Sequence, residues 1–261
     1  MEKMRNPAVA GLFYPEDRED LAACVHGYTE ASEGNPDFPK AIIAPHAGYD
    51  YSGAVAGTAF AAVKSVASRI SRVVLLGPSH RVAFHGLAVS GASAFQTPLG
   101  SVPLDREAID TILTMDQVHE MDEAHLMEHS LEVELPFLQG VLGAFELVPL
   151  VVGCATYGEV SEVIDVLWGG DETLIVISSD LSHFLPYEQA REMDDETRKA
   201  IEALRPEDLA PEQACGRTPI GGLLLSARQR GMHVTTLNMC NSGDTAGSKD
   251  RVVGYGAYAV G

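Results

Sequence analysis

The feature that most constrains this chain is a set of short β-branched runs, several of them apolar at every position. Ile42-Ile43-Ala44, Val73-Val74-Leu75-Leu76 and Leu174-Ile175-Val176-Ile177 show no polar alternation. A strand with one wet face alternates; a strand apolar on both faces must be covered on both, which is the signature of a sheet clothed by helices. Six strands are expected, at Ala41–Ala44, Arg72–Leu76, Phe145–Val152, Thr173–Ser178, His233–Asn238 and Val252–Ala259. Longer amphipathic stretches predict helices at Gly53–Val66, Arg106–Thr114, Leu131–Leu142, Tyr157–Leu167, Tyr187–Leu204 and Pro219–Arg230. The pattern predicts an α/β fold with a central, mainly parallel or mixed sheet flanked by helices. No repeat, linker or boundary stands out, so residues 1–261 read as a single domain. The most loop-like stretch, Ser32 to Pro39, precedes the first strong strand.

Charge narrows the partners. With 37 acidic and 18 basic residues the formal net charge is −19, a field that repels nucleic-acid phosphates and anionic membranes. The acids are spread along the chain, as a solubilising surface is, and a small-molecule substrate is the expected partner. No apolar run reaches membrane-spanning length. Glu16, Asp17, Arg18, Glu19 and Asp20 stand where a signal peptide needs its apolar core, so a cytoplasmic protein is expected. Cys24, Cys154, Cys215 and Cys240 are too widely spaced for a zinc ribbon or a disulfide framework.

The chemistry is written where the strands end. The first run passes into Pro45-His46-Ala47-Gly48-Tyr49, the second into Gly77-Pro78-Ser79-His80, and the third into Ser178-Ser179-Asp180-Leu181-Ser182-His183. Carboxyl ends of strands are where open α/β sheets bind ligands, because loops from several strands converge there. One histidine after a strand is usually a hydrogen-bonded structural residue. Three at one edge, flanked by Gly and Pro, point instead to a divalent transition metal. Asp180 is a candidate ligand, or a partner that orients His183. Two histidines and one anionic ligand with open positions suit non-haem Fe(II); zinc accepts the same donors.

Two further segments carry donors. Residues 125–129 match H-x-x-E-H, which on a helix would set His125 and His129 on one face with Glu128 as base. Pro136 limits a long helix there, and a polar helix start is the plainer reading. A place in the pocket for His129 alone is the better expectation. Cys215 precedes a predicted helix, whose N-terminus lowers a thiol pKa. It reads equally as a reactive or metal-bound thiolate and as a small buried apolar residue. Ser79 and Ser179 lie in no G-x-S-x-G and read as structural.

These segments together resemble the Memo-like family. Asn6-Pro7-Ala8-Val9-Ala10-Gly11-Leu12-Phe13-Tyr14-Pro15 is similar to its opening motif. Ala44-Pro45-His46-Ala47-Gly48-Tyr49, Leu76-Gly77-Pro78-Ser79-His80, Glu128-His129-Ser130-Leu131-Glu132, Ser178 to His183 and Cys215-Gly216-Arg217 follow in order. The resemblance implies a fold shared with class III extradiol ring-cleaving dioxygenases, which are non-haem Fe(II) enzymes. It implies metal positions at His46, His80 and Cys215, with His183, Asp180 and His129 as catalytic groups. It further implies Phe13, Tyr14 and Tyr49 as substrate-binding aromatics. Iron as Fe2+ is the implied cofactor, with copper or zinc as alternatives. A thiol in place of the relatives' carboxylate is a softer ligand and departs from the dioxygenase pattern. Microbial members look like component B of the AmmeMemoRadiSam system, which implies a radical-SAM protein and an AMMECR-type protein as partners. Animal relatives look like phosphotyrosine-peptide adaptors, so a non-catalytic peptide- or protein-binding module is the alternative to a metal-dependent oxidoreductase.

Overall fold

A computed structural model describes residues 3–31 and 39–261. The predicted loop at Ser32 to Pro39 therefore falls, except for Pro39, outside the described residues. The strands are β1 (Met4–Arg5), β2 (Ala41–Ala44), β3 (Arg72–Pro78), β4 (Leu87–Val89), β5 (Ala94–Thr97), β6 (Gly100–Pro103), β7 (Val118–Glu120), β8 (Glu146–Val152), β9 (Thr173–Ser178), β10 (His183–Leu185), β11 (Val234–Asn241) and β12 (Val252–Val260). The helices are α1 (Arg18–Glu30), α2 (Tyr49–Ala61), α3 (Arg106–Ile112), α4 (Asp122–Leu126), α5 (Leu135–Val141), α6 (Tyr157–Val166), α7 (Tyr187–Glu202) and α8 (Arg217–Gln229).

The centre is a nine-stranded mixed sheet. Its heart is the parallel set β2-β9-β3-β8, with Ile42 beside Val176, Val74 beside Ile175 and Leu76 beside Leu150. Nearly all of these residues are buried, as runs apolar on both faces require. Antiparallel neighbours close both flanks: β12 lies against β2, and β4 against β8. The long β12 also carries β11 along most of its length and the short β10 at its start. The mixed α/β architecture expected from the apolar runs is the one observed.

Parallel pairing has one consequence for function. Ala44, Pro78 and Ser178 end their strands at a common edge, so the turns bearing His46, His80 and Asp180 to His183 leave the sheet side by side.

Several elements escaped the sequence reading. Helix α1 shows a stripe only of Leu21, Val25 and Thr29 to the core, and its start is marked by Asp17, which accepts from the Glu19 and Asp20 N–H groups. Gly57 lets α2 pack tightly against it, for a Cβ there would lie 2.6 Å from the Tyr28 carbonyl oxygen. The small sheet β1-β5-β6 was likewise missed, its strands being two to four residues long. The helix expected at Leu131–Leu142 is a short 3-10 turn, Glu132–Glu134, running into α5, with Pro136 in its first turn. Among the described residues, no helix is long and apolar enough to cross a membrane.

Candidate metal centre

Three imidazoles meet at the common strand edge. The ring centroids of His46 and His80 lie 5.2 Å apart, those of His46 and His129 5.4 Å, and those of His80 and His129 4.6 Å, the last pair nearly stacked. Cys215 closes the group, its Sγ 3.4 Å from His46 Nε2. Donor atoms of His46, His80 and Cys215 all lie within 4.8 Å of one another, a set that can hold a metal ion.

Each of the two outer rings is gripped from behind. Ser178, at the end of β9, lies 2.6 Å from both the Ser130 carbonyl oxygen and Glu134 Oε1, which take its one hydroxyl hydrogen between them. Its oxygen therefore accepts from His46 Nδ1 at 2.7 Å, which leaves Nε2 unprotonated toward Cys215. His80 Nδ1 stands 2.8 Å from Glu128 Oε1. A carboxylate only accepts, so Nδ1 carries the proton and Nε2 is the ring nitrogen left to bind an ion. This is the carboxylate–histidine arrangement that orients metal ligands.

His80, Glu128 and His129 form a second group of adjacent donors. Glu128 is already committed, however. Its oxygens accept from the backbone N–H groups of His80, His129 and Ser130 as well as from the His80 ring. Those bonds outweigh its burial and hold its carboxyl down at about 2. The His46, His80 and Cys215 set is the better one for an ion.

Several expectations are corrected here. The H-x-x-E-H reading fails because α4 ends at Leu126 and the two histidines diverge. His125 turns into the core, with Nε2 3.0 Å from the Ala88 carbonyl and Phe95 against its ring. Asp180 does not touch His183. It accepts from the His46 N–H at 2.8 Å and so pins the turn that presents that ligand. His183 is oriented instead by the Leu181 carbonyl, 2.8 Å from Nδ1. Burial lowers the His183 pKa, against the Leu181 hydrogen bond and with the neighbouring His80, which favours the neutral ring.

Cys215 departs from the helix-terminus argument. Burial, reinforced by Asp180, pushes the thiol up to about 12, so desolvation outweighs the start of α8. Tyr14 and Tyr49 are buried, and their hydroxyls are spent on Glu132 Oε1 at 2.6 Å and the Val133 carbonyl at 2.8 Å. Phe13 does border the centre, its ring 4.8 Å from that of His129. Glu128, Ser178 and Glu134 are the groups that sequence reasoning did not assign to these roles.

The loop before His183 is held by a buried acid on α7. Asp194 accepts from the Ser182 N–H at 2.9 Å, and burial raises its carboxyl from 3.8 to about 6. Between those values the folded state keeps a proton that the unfolded state has released. Its contribution is thus most favourable below the unfolded value and is lost as pH rises through about 6. Asp194→Asn keeps an acceptor without the buried charge. It is expected to exceed the parent in stability at pH 8 by up to about 3 kcal/mol, with the difference gone near pH 4. Urea midpoints at the two pH values check this; a pH-independent difference refutes it.

Comparison with known proteins agrees with the motif order. The family model described as Memo-like protein matches residues 5–259. A MEMO1 family protein of Aquifex aeolicus is 37% identical, with 97% of each chain aligned. One of Aeropyrum pernix is also 37% identical, covering 99% of this chain and 100% of its own. The crystal structure of an uncharacterised protein from Escherichia coli K12 superposes with a TM-score of 0.57 at 14% identity, over 86% of this chain and 100% of that one. That likeness speaks for the fold alone. The family match and the relatives run almost from end to end, through every segment that builds the centre: the chain belongs to the Memo-like protein family.

Proposed function

We propose that this chain is a metal-dependent redox protein, dioxygenase-like in its use of the site, that binds iron as Fe(II) and acts on a small organic substrate. The observation carrying the reading is the pair of imidazoles, His46 and His80, each held through Nδ1 by Ser178 or Glu128, with a donor atom of each within 4.8 Å of the other and of Cys215 Sγ. Two nitrogen donors and one sulfur donor suit iron, and copper or zinc as well. When bound, such an ion supplies Lewis acidity and open coordination positions.

The chain's own residues supply the rest. Cys215 is neutral by itself and gives up its proton on becoming a ligand. His183 accepts a proton from a substrate hydroxyl at Nε2, its ring held in place by Leu181. His129 stacks on His80, and Phe13 covers His129, which keeps water from that side. Family membership supports extending the proposal to a radical-SAM protein and an AMMECR-type protein as partners, in the cytoplasm.

The test is metal content. Protein purified anaerobically is expected to carry about one equivalent of iron per chain, with the element and ligands assigned by anomalous scattering. Protein that retains no iron, copper or zinc after repletion ends the proposal.

A further inference from the structure

Three buried glutamates stand close together in the chain, and the donors around them differ sharply. Glu128 accepts four hydrogen bonds, three of them from backbone N–H groups. Glu132 has the Arg5 guanidinium, two backbone N–H groups and the Tyr14 hydroxyl. Glu134 has no such company. It is fully buried, its Oε1 meets Ser178, and its Oε2 has no hydrogen-bond partner among the described residues. A buried carboxylate with no cation beside it and one bare oxygen is costly, and such a group keeps its proton instead. Burial pushes the Glu134 carboxyl well above its ordinary 4.5, with Ser178 opposing and Asp180 adding to the rise.

The surroundings of Ser178 require the same proton. Three atoms lie around its Oγ: the Ser130 carbonyl oxygen at 2.6 Å, Glu134 Oε1 at 2.6 Å and His46 Nδ1 at 2.7 Å. Each contact of that length needs a hydrogen. The hydroxyl brings one and the carbonyl brings none. One hydrogen between two acceptors would leave a contact bare. The other two hydrogens must therefore come from His46 Nδ1 and from Glu134, and Oγ has two lone pairs to receive them. Its own hydrogen then goes to Ser130.

We propose that Glu134 is a neutral carboxylic acid whose O–H donates to Ser178, making it a positioning residue that backs His46 without charge. Its role, though not its proton, rests on the reading of His46, His80 and Cys215 as the metal centre. The two histidines are then held by unlike chains. His80 is backed by the ionised Glu128, which raises the basicity of the ligand. His46 is backed by an uncharged hydroxyl and acid, which fix the ring without that gain. The titratable groups that face Glu134 are Asp180, just past the end of β9, and Tyr49 on α2, whose hydroxyl goes to the Val133 carbonyl. Neither is a cation that could hold a carboxylate there.

Infrared spectra of the full chain at neutral pH, with and without isotope-labelled glutamate, test the proton. A protonated-carboxyl band is expected that moves with the label and is absent from Glu134→Gln. Stability reads the same proton. The folded chain keeps it while the unfolded chain releases it above 4.5, so its favourable share is full below 4.5 and is lost as pH rises. Between about pH 5 and 7 the folding constant of the parent should fall roughly tenfold per pH unit relative to Glu134→Gln. The glutamine NH2 donates where the O–H did, so Glu134→Gln should weaken Zn(II) binding by less than about 10-fold, whereas Glu128→Gln should weaken it by about 10–100-fold. No labelled acid band, parallel pH profiles, or a zinc loss of about 10-fold or more in Glu134→Gln overturns the proposal. Metal content in the same preparations separates the two readings. The acid band in a protein that takes up no metal removes only the metal centre, and metal uptake without the band removes only this inference.

Discussion

Replacing Glu132 with alanine is expected to cost about 3–5 kcal/mol of stability, the range for removing one partner of a buried ion pair. Glu132 is fully buried and touches four donors. It pairs with the Arg5 guanidinium and accepts from the N–H groups of Ala8 at 2.8 Å and Val9 at 3.0 Å, and from the Tyr14 hydroxyl at 2.6 Å. Alanine would leave the Arg5 charge buried, with its remaining bonds to the His125 and Glu128 carbonyls, and would orphan three further donors. Glu132→Gln keeps an acceptor and should cost less.

The consequence extends beyond stability. These bonds tie residues 5–14 to the segment bearing Glu128 and His129, and Phe13 lies on His129. Urea unfolding is the measurement, read as a lowered midpoint at unchanged slope. A loss below about 1 kcal/mol would mean that the network is not a unit.

That network shows where sequence reading stops. The parallel strands were legible because burial on both faces writes itself as uninterrupted Ile, Val and Leu. The strand ends put His46 and His80 at one edge together with His183, whereas Cys215 was placed beside them only by the family resemblance; the group of adjacent donors holds Cys215 and not His183. Glu132 could not be found that way, since its donors lie 118 to 127 positions away in the chain. The surroundings of Tyr14 and Tyr49 were illegible for the same reason: an aromatic in a site motif can be buried and give its hydroxyl hydrogen to an acceptor far away in the chain. Cys215 shows a contest of terms. Its place before α8 argued for a low pKa, but burial acts on the whole charge and prevails. Glu128 was recognised as an acid near histidines, yet only the end of α4 at Leu126 shows that it serves His80 rather than a His125–His129 pair.

Glu128→Gln isolates that service, and it is expected to weaken divalent metal binding by about 10–100-fold, the usual effect of removing a carboxylate behind a ligating histidine. The wild-type carboxylate presents only acceptors, to the His80 ring and to three backbone N–H groups. Its carboxyl, held near 2, stays ionised at any pH where the protein would be assayed. A glutamine amide has one acceptor and one donor end. If its oxygen takes the Oε2 place, on the His80 N–H, its NH2 faces His80 Nδ1 and favours the tautomer with Nε2 protonated, which cannot ligate, and it also meets the N–H groups of His129 and Ser130. If its oxygen faces Nδ1, a backbone N–H is left against an NH2 group, and the turn bearing His80 loosens. Either way the ligand is less well prepared, although every donor of the His46, His80 and Cys215 set is still present. Chelator competition with Zn(II) at neutral pH reads the affinity, and a circular dichroism spectrum matching the parent excludes unfolding as the cause. Unchanged affinity in a folded Glu128→Gln protein would show that His80 needs no carboxylate behind it, and the Glu128–His80 pair would lose its place in the account of the centre.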